Sequence, residues 1–404
     1  MPSLSRRLNL PLFTFYGLGS ILGAGIYALV GKVAGEAGVF APLSFVIAAV
    51  MAALTGFSYA ELSSRFPKSG GESVYVSKAF GIKWLSFIVG ILVIISATVS
   101  SAALMNAFVG YLEVFVPVTR TAVLAAVAII AALIAVWGIK ESAAAAAVFT
   151  LIEIGGLILI IWVGKDSIIN FPSRLPEFAT GLADLKAING ILLGAFLAFY
   201  ACIGFEDMAN VAEEVINPHR NLPLGIIIAI AVSTILYFLV SAVAVLSLDP
   251  EILKSTDAPL ALVYEQNTGS APFAITLIGL FAVSNGILIQ IIMGSRMIYG
   301  LSNAKCLPKF LSYVSPRTHT PVSAILLISL AILALAIGFD LANLAEATSF
   351  TVLLIFILVN LACIVMKIRD PEPKGVITFP FIIPLMGLIT VSLFLGYRIL
   401  ADIG

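Results

Sequence analysis

Long apolar stretches separated by short polar connectors recur along the whole chain. Eleven of these stretches are long enough to cross the ~30 Å hydrocarbon core of a bilayer as helices. They lie at about residues 12–33, 41–63, 84–111, 121–137, 143–163, 188–213, 224–248, 271–302, 322–339, 344–366 and 379–400. An open sheet edge cannot satisfy its backbone polar groups in hydrocarbon, so these stretches predict helices. The predicted fold class is an all-α polytopic membrane protein.

The composition agrees with a chain surrounded by lipid. Hydrophobic residues make up 61% of the 404 residues and charged residues only 11%, whereas soluble domains have about 45–50% and about 25%. The formal net charge is zero, so no electrostatic argument favours a nucleic-acid partner. The predicted partner is the lipid bilayer, and the pattern predicts no particular oligomeric state. The first stretch is too long for a signal peptide and lacks a small-residue cleavage pattern.

Lysine and arginine residues are unevenly shared between the two sets of alternate connectors. One set holds 15 of the 22 basic residues and the other holds 7. The positive-inside rule places the richer set, together with the N-terminus, in the cytoplasm. With eleven helices the C-terminus lies outside. The predicted location is the cell (cytoplasmic) membrane, crossed many times.

The residues that carry enzyme chemistry are few and scattered. Cys202, Cys306 and Cys363 have no metal-ligand spacing, and His219 and His319 lie in polar connectors. The connectors contain no nucleophile–base arrangement and no phosphate-binding loop. The sequence therefore predicts no catalytic residue, no metal site, no bound cofactor and no enzyme activity.

Two of the predicted helices bring glycines or carboxylates to membrane depth. The first reads GLGSILGAGIY from Gly17 to Tyr27, and the sixth reads AFYACIGFED from Ala198 to Asp207. Glycine costs about 1 kcal/mol relative to alanine inside a helix, so the glycine runs predict interruptions. Interrupted helices at matching positions in two halves indicate an inverted repeat. We expect repeats at 11–164 and 188–367 and an additional helix at 376–404, all within one transmembrane transport domain, 1–404.

Four segments resemble the signature segments of amino acid–polyamine–organocation permeases, and they occur in the order of that family. They are GLGSILGAGIYALVG in the first helix, SYAELSSRFPKSGGESVYVSKAFG at 58–81, YACIGFEDMANVAEEVINPHRNLP at 200–223 and SRMIYGLSNAKCLPKF at 295–310. The resemblance implies the five-plus-five inverted-repeat fold of leucine transporters. It also implies secondary transport of amino acids by alternating access. Family members usually have twelve helices, whereas eleven are predicted here.

The two interruptions form the predicted substrate site. Backbone N–H groups at the start of the outer half of helix 1 suit the substrate carboxylate. By resemblance, the carbonyls of Ile21, Tyr200 and Ile203 receive the ammonium. The alternative is that the glycines only allow close helix packing. The full predicted set is Ile21, Leu22, Gly23, Ala24, Gly25, Tyr200, Cys202, Ile203 and Gly204, with Thr98, Ser101, Asn285 and Ser349 as further candidates to line the pocket.

Glu153 is an ionisable residue near the middle of the fifth predicted helix. An acid at that depth is a functional candidate, because an uncompensated charge in hydrocarbon costs at least a few kcal/mol. Some proton-coupled relatives carry a lysine at what corresponds to this position. Three interpretations stay open: a proton site, a sodium site that includes carbonyls of Gly19 and Leu22, and a structural hydrogen bond. Proton coupling is the leading prediction, so the transported ion is a proton or, alternatively, sodium.

Charges of opposite sign collect at the predicted cytoplasmic ends of helices 2, 6 and 8. Glu61, Arg65, Glu213 and Arg296 are predicted to form an inner gate. Glu206 and Asp207 follow the second interruption, where they either stabilise a helix start or recognise a cationic substrate. The apolar surroundings of Ile203 favour a neutral substrate. The alternatives to a proton-coupled carrier are an exchanger, a sodium symporter, a membrane sensor that binds amino acids without moving them, and a channel.

Overall fold

The computed structural model describes residues 6, 8–22, 25–68, 70–117, 119–137, 139–169, 185–256, 258–318 and 320–403, with side chains described except at 139–146 and 401–403. In this part of the chain the secondary structure is helical, apart from an isolated bridge between Leu8 and Val215. The helices are α1 Leu10–Leu22, α2 Gly25–Ala37, α3 Ala41–Arg65, α4 Gly71–Phe80, α5 Lys83–Glu113, α6 Arg120–Trp137, α7 Ile139–Val163, α8 Lys165–Ile169, α9 Leu185–Cys202, α10 Asp207–Asn210, α11 Pro218–Ser247, α12 Pro250–Lys254, α13 Pro259–Thr268, α14 Phe273–Asn303, α15 Val322–Gly338, α16 Leu341–Arg369 and α17 Ile382–Ile403.

Most of these helices have the length and apolarity of membrane-spanning segments. Eight helical runs among the described residues meet both criteria, and the first, Leu10–Arg65, contains both the first and the second predicted segments. The shorter apolar helices Ala147–Val163 and Val322–Gly338 coincide with the fifth and ninth predicted segments. The chain is thus an all-α polytopic membrane protein, as predicted from its hydropathy. The count of eleven spans stays a prediction.

The sixth predicted segment is divided into separate helices. α9 ends at Cys202, and the short α10 begins at Asp207 after a turn that contains Gly204. The sequence explains this division, because it falls in a glycine-containing stretch that predicted an interruption. The interruption predicted in the first segment includes Gly23 and Ala24, which lie outside the described residues, between α1 and α2.

The helices α1, α2 and α9, next to the two predicted interruptions, pack together and against longer helices. α2 packs along α9, and α9 also packs on α3. α1 packs on α7, α11 and α14. The close approach of α2 to α9 depends on glycine, since a Cβ at Gly25 would lie 2.2 Å from the Cα of Ala201. Small residues allow helices to approach in this way within a bilayer. α5, α14 and α16 form the neighbouring part of the bundle.

The connector between α3 and α5 contains an additional helix, α4, that is not among the predicted segments. Its residues Tyr75, Val76 and Ala79 are completely buried, which fixes α4 against the bundle. It contacts α5, α16 and α10. Gly81 ends the helix with φ +70° and donates its N–H to the carbonyl of Ser77, a left-handed cap. α4 therefore joins the long helices to the short helix that follows the second interruption.

Candidate functional site

The end of α1 and the end of α9 lie close together and are held by a shared side chain. The hydroxyl of Tyr237 in α11 lies 2.6 Å from the carbonyl oxygen of Ile21 and 2.9 Å from that of Ala201. Gly204 approaches α1 so closely that a Cβ there would lie 2.5 Å from the carbonyl oxygen of Ser20. Gly204 also has φ +127°, a conformation that side chains rarely adopt. Glycine is therefore required at this point of the second interruption.

A cavity with an empty volume of ≈ 350 Å³, including the space at its mouth, lies beside the interruptions. Its lining comes from α1, α2, α5, α9, α14 and the turn after α9: Ser20, Ile21, Gly25, Ser100, Leu104, Tyr200, Ile203, Gly286, Ile289 and Gln290. The walls combine apolar side chains with polar groups, the combination that orients a small molecule in its site.

Tyr200 connects this cavity to α5. Its hydroxyl donates to the carbonyl of Ser100 over 3.2 Å and lies 3.3 Å from the Ser100 hydroxyl. The side chain is 5% exposed. From the sequence, the backbone carbonyl of Tyr200 was expected to receive the substrate ammonium. The structure adds a contact of its side-chain hydroxyl, which joins α9 to α5.

The predicted substrate residues gather around the interruptions, although not all of them line the cavity. Ile21, Gly25, Tyr200 and Ile203 line it. Leu22, Cys202 and Gly204 are buried at the two interruptions without being among the lining residues. Gly23 and Ala24 lie outside the described residues.

The four further pocket candidates have other surroundings in the structure. Thr98 donates to the carbonyl of Ile94 in its own helix, and Ser349 donates to the carbonyl of Phe196. Ser101 is completely buried, and its neighbour Ser100 lines the cavity instead. One residue along a helix rotates the side chain by about 100°, so a correct helix can still give the wrong lining residue. Asn285 contacts Glu153.

Glu153 is completely buried in α7 and pairs with Asn285 of α14. The Asn285 Nδ2 group donates to Glu153 Oε1 over 2.9 Å. Glu153 Oε2 and Asn285 Oδ1 are both buried and accept no hydrogen bond from the residues that the structure describes. The main chain here is also fixed, because the Tyr27 hydroxyl donates to the Glu153 carbonyl over 2.7 Å. The pair therefore contains two unsatisfied acceptors in a rigid apolar setting.

Gly19 of α1 lies against this pair. A Cβ at Gly19 would lie 2.2 Å from Thr150 Oγ1 and 3.0 Å from Asn285 Nδ2. Thr150 in turn donates to the carbonyl of Phe15 over 3.2 Å. α1, α7 and α14 thus meet at Glu153, next to the first interruption. Among the described residues, no group of three or more His, Cys, Asp or Glu residues could hold a metal ion.

Glu206 and Asp207 point to different partners. Glu206 Oε2 accepts the backbone N–H of Gly204 over 2.9 Å and so stabilises the turn between α9 and α10. Asp207 Oδ2 accepts from the Ser20 hydroxyl over 2.6 Å and from Gln290 Nε2 over 3.0 Å. Both of these donors line the cavity. The two adjacent carboxylates therefore differ in role, one local to the turn and the other linked to the cavity.

Comparison with known proteins shows the family to which this arrangement belongs. The model of the amino acid permease family matches residues 8–400. The chain is a member of the amino acid permease family, within the amino acid–polyamine–organocation superfamily. The family and its relatives are transporters rather than enzymes.

The permease resembles transporters that are named for several different substrates. It is 32% identical to the vacuolar cationic amino acid transporter 4 of Arabidopsis thaliana over 91% of this chain and 64% of the relative. It is 28% identical to the methylthioribose transporter of Bacillus subtilis over 98% and 88% of the two chains. It is also 28% identical to a branched-chain amino acid permease of Bacillus subtilis over 92% and 83%. The chain spans less than two thirds of the length of the Arabidopsis relative.

Predicted gate residues of the permease take part in ion pairs at the ends of its helices. In α3, Arg65 pairs with Glu61 at 2.8 Å, and Lys367 of α16 pairs with the other Glu61 oxygen at 2.5 Å. Arg296 of α14 pairs with Glu214, the neighbour of Glu213, at 3.2 Å. The predicted gate residues thus lie in two separate groups, and Lys367 is a member that the sequence did not single out.

Several residues of the cavity were not predicted either. Gly286, Ile289 and Gln290 follow the i, i+3, i+4 spacing of one helix face, so the pattern was available in the sequence. Gln290 is also an amide within an apolar helix, which is a useful signal at membrane depth. Tyr237 offered no comparable signal, because its partners are backbone carbonyls more than thirty residues away.

Proposed function

We propose that the permease is a secondary active transporter of amino acids that works by alternating access and is coupled to protons through Glu153. The observation that carries the proposal is the interruption between α9 and α10, which lies against α1 beside a cavity. In transporters, interrupted helices at matching positions hold the substrate and the coupling ion near the bilayer midplane. The names of the Arabidopsis relative and of one Bacillus subtilis relative support amino acids as the substrate class.

The chemistry of the interruptions suits a zwitterion. A helix start at the predicted interruption around Gly23–Gly25 would offer unpaired N–H groups and the positive end of a helix dipole to a carboxylate. Ile21 and Ile203 line the cavity close to the ends of α1 and α9, where carbonyls are free of the full helical pattern. A carbonyl oxygen has two lone pairs, so the Ile21 carbonyl can bind an ammonium in addition to Tyr237.

Glu153 is the proposed proton carrier. A buried carboxylate with no cation beside it is costly when ionised, and a proton removes that cost. Protonated at Oε2, Glu153 becomes a donor, and the unsatisfied Asn285 Oδ1 is an acceptor on the residue that already binds its other oxygen. Proton release reverses this gain. Because α1 contacts the same pair through Gly19, the protonation state of Glu153 is coupled to the position of the first divided helix.

Sodium is the second candidate for the coupling ion. Two unsatisfied oxygen acceptors beside the end of α1 also suit a hard cation, with carbonyls of Gly19 and Leu22 as further ligands. The two alternatives differ in what drives uptake. A proton site requires a pH gradient, whereas a sodium site requires a sodium gradient.

The test is uptake by the purified permease in sealed vesicles, with a mixture of labelled amino acids and independently imposed pH and sodium gradients. We expect an inwardly directed proton gradient to drive accumulation, and Glu153→Gln to abolish that response while retaining substrate exchange. Glu36→Gln is the control, because Glu36 belongs to an exposed pair with Lys254. A Glu153→Gln protein with an unchanged pH response would contradict the proton assignment. Uptake that requires sodium would assign sodium instead.

The same preparation separates the remaining alternatives. An exchanger accumulates label only when vesicles are preloaded with substrate, and it does so without a pH gradient. A sensor binds substrate without flux, and a channel shows flux without tight saturation. We expect saturable binding together with net flux.

We also propose the cell membrane as the location, with the N-terminus in the cytoplasm, the C-terminus outside, and repeats at 11–164 and 188–367. The excess of lysine and arginine in alternate connectors supports this orientation. The Glu61–Arg65 and Glu214–Arg296 groups would then close the cytoplasmic side. Labelling of the native Cys306, which is exposed, by a membrane-impermeant thiol reagent tests it, since labelling in intact cells would contradict a cytoplasmic position.

A further inference from the structure

We infer that the cavity selects amino acids with a cationic side chain, an ammonium or a guanidinium, and that Asp207 is the residue that sets this preference. The inference rests on the proposed function, since it names the substrate class of the same cavity. It departs from the neutral substrate that the sequence favoured. The names of the relatives leave the choice between a cationic and a neutral substrate open, because they include both cationic and branched-chain amino acids.

The position of Asp207 is the first step. It begins α10 directly after the second interruption and is completely buried. Its Oδ2 atom binds Ser20 and Gln290, which come from α1 and α14 and line the cavity. One carboxylate therefore stands behind two polar residues of the cavity wall, on elements more than eighty residues apart in the chain.

The direction of these hydrogen bonds determines what the wall offers to a ligand. Ser20 has a single O–H, and Asp207 receives it, so the Ser20 oxygen is left with acceptor lone pairs. Gln290 uses its amide nitrogen for Asp207, so the oxygen Oε1 is the amide atom not engaged by that carboxylate. A neutral hydroxyl and amide thus become an acceptor-rich patch. Such a patch favours a ligand that brings several donors.

The charge of the region points the same way. Asp207 Oδ1 is buried and accepts no hydrogen bond from the described residues. Within the described part of the chain, Asp207 forms no ion pair, and its charge acts on two other acids, Glu206 and Glu72. Glu206 is occupied by the Gly204 N–H. Arg296, which acts on Tyr16 together with Asp207, is paired with Glu214. A cationic substrate group would therefore give Asp207 an ion-pair partner that the described residues do not.

The remaining lining suits the rest of such a substrate. Ile21, Leu104, Ile203 and Ile289 provide an apolar wall next to the acceptor patch. Lysine and arginine have the matching division, with an apolar stem of three or four methylenes and a charged end. A branched-chain amino acid would fill the apolar part and leave Asp207 without a cationic partner.

The opposing explanation is that Asp207 only holds Ser20 and Gln290 in place and has no effect on substrate charge. Matched ligand pairs separate the two explanations. Norleucine has the lysine carbon chain without the ammonium, and citrulline replaces the guanidinium of arginine by a neutral ureido group. A positioning role predicts equal binding within each pair, whereas a counter-charge predicts preference for the cation.

The experiment measures binding to the full-length purified permease by ligand-dependent thermal stabilisation, at fixed pH and ionic strength. We expect wild-type protein to bind lysine over norleucine, and arginine over citrulline, by at least about tenfold. Asp207→Asn should reduce each ratio to about threefold or less. Asp166→Asn is the control, because Asp166 is exposed in the short helix α8, and it should leave both ratios unchanged.

The wild-type comparison decides the inference even if Asp207→Asn fails to fold. Equal binding of lysine and norleucine by wild-type protein would overturn it, as would a cation preference that survives in folded Asp207→Asn. In both of those cases amino acids still bind and the proposed function stands. Absence of binding by cationic and neutral amino acids alike, together with absence of uptake, would overturn the proposed function and the inference with it.

Discussion

The hydroxyl of Tyr237 donates to the backbone carbonyl of Ile21 over 2.6 Å. The same hydroxyl lies 2.9 Å from the carbonyl of Ala201, so one side chain of α11 contacts the last turn of α1 and the last turn of α9. Carbonyls at the ends of helices lack intrahelical donors and need other partners when they are buried. Tyr237 supplies such a partner and fixes the distance between the two divided helices.

Replacing Tyr237 by phenylalanine tests this connection. Loss of the hydroxyl leaves buried carbonyls without a donor, at a cost of about 1–3 kcal/mol. We expect Tyr237→Phe to lower the unfolding temperature and to weaken amino acid binding, because both interruptions lose a common support. Tyr313→Phe is the control, since Tyr313 is 58% exposed. Thermal unfolding with and without substrate measures both effects, and unchanged affinity would show that Tyr237 does not organise the site.

Gly204→Ala should damage the site more severely. The added Cβ would lie 2.5 Å from the Ser20 carbonyl oxygen and 2.6 Å from its carbonyl carbon, both of them backbone atoms. The φ of +127° is also strained for alanine. We expect a destabilisation of more than about 2 kcal/mol and loss of substrate binding.

A second glycine separates backbone strain from overlap. Gly269 has φ +65° and has no atom within 4 Å of an added Cβ. Gly269→Ala therefore carries only the strain of a left-handed conformation, about 1–2 kcal/mol. The unfolding temperatures and binding of the two variants are compared. Equal effects at the two positions would mean that the close approach of Gly204 to α1 is unimportant.

A structural feature can be predicted from sequence when the physical effect that causes it acts within one segment of the chain. The interruption between α9 and α10 was predictable because glycine changes helix stability locally, within the segment that contains it. The choice between Ser100 and Ser101 at the cavity depends on the rotation of α5 about its axis, which is set by packing against other helices. Hydropathy identifies a buried helix but does not orient its faces when nearly all of its residues are apolar.

Contacts between distant parts of the chain were the least accessible to sequence reasoning. Glu61 was singled out together with Arg65, which lies one helical turn away. Its other partner, Lys367, is 306 residues away along the chain. No local pattern specifies such a pair, whereas the burial of both side chains in the structure shows that each needs the other.

The Glu61–Lys367 pair leads to a further prediction. Lys367 donates to Glu61 and to the carbonyl of Phe379, and its side chain is 7% exposed. Without Lys367, Glu61 keeps its pair with Arg65, but a buried charged contact is lost, and breaking a buried pair costs up to about 3–5 kcal/mol. We expect Lys367→Met to destabilise the permease. We expect Glu61→Gln combined with Lys367→Met to recover none of the loss, because it leaves Arg65, whose side chain is 2% exposed, without its carboxylate. Chemical or thermal unfolding of both variants measures this.

An exposed lysine–glutamate pair is the matched control. Lys254 and Glu36 lie 3.2 Å apart with side chains 45% and 36% exposed. Exposed pairs contribute about 0–1 kcal/mol, so Lys254→Met should have a small effect. Comparable losses from Lys254→Met and Lys367→Met would contradict the importance of burial.

Glu72 lies outside the membrane-spanning helices, in the first turn of α4, and is completely buried. Its Oε1 accepts the Tyr59 hydroxyl over 3.1 Å, while Oε2 has no hydrogen-bond partner. Burial raises the pKa of Glu72 from 4.5 to about 7, against the opposing effects of its own backbone N–H and of Tyr59. The folded protein therefore retains a proton on Glu72 in a pH range where the unfolded chain has released it.

This difference predicts how stability changes with pH. A carboxyl whose pKa is raised by folding contributes stability that is complete below pH 4.5 and is lost as the pH rises to about 7. Glu72→Gln removes this contribution, because glutamine stays neutral at every pH. Groups that do not interact with Glu72 titrate equally in both proteins, so the difference in unfolding temperature between Glu72→Gln and wild type reports Glu72 and the acid that its charge affects, Glu206. We expect that difference to shift in favour of the variant as the pH is raised from about 5 to about 8 and to level off above that. A difference that is constant with pH would mean that Glu72 is ionised in the folded protein over the whole range, and that the buried environment of α4 does not hold its proton.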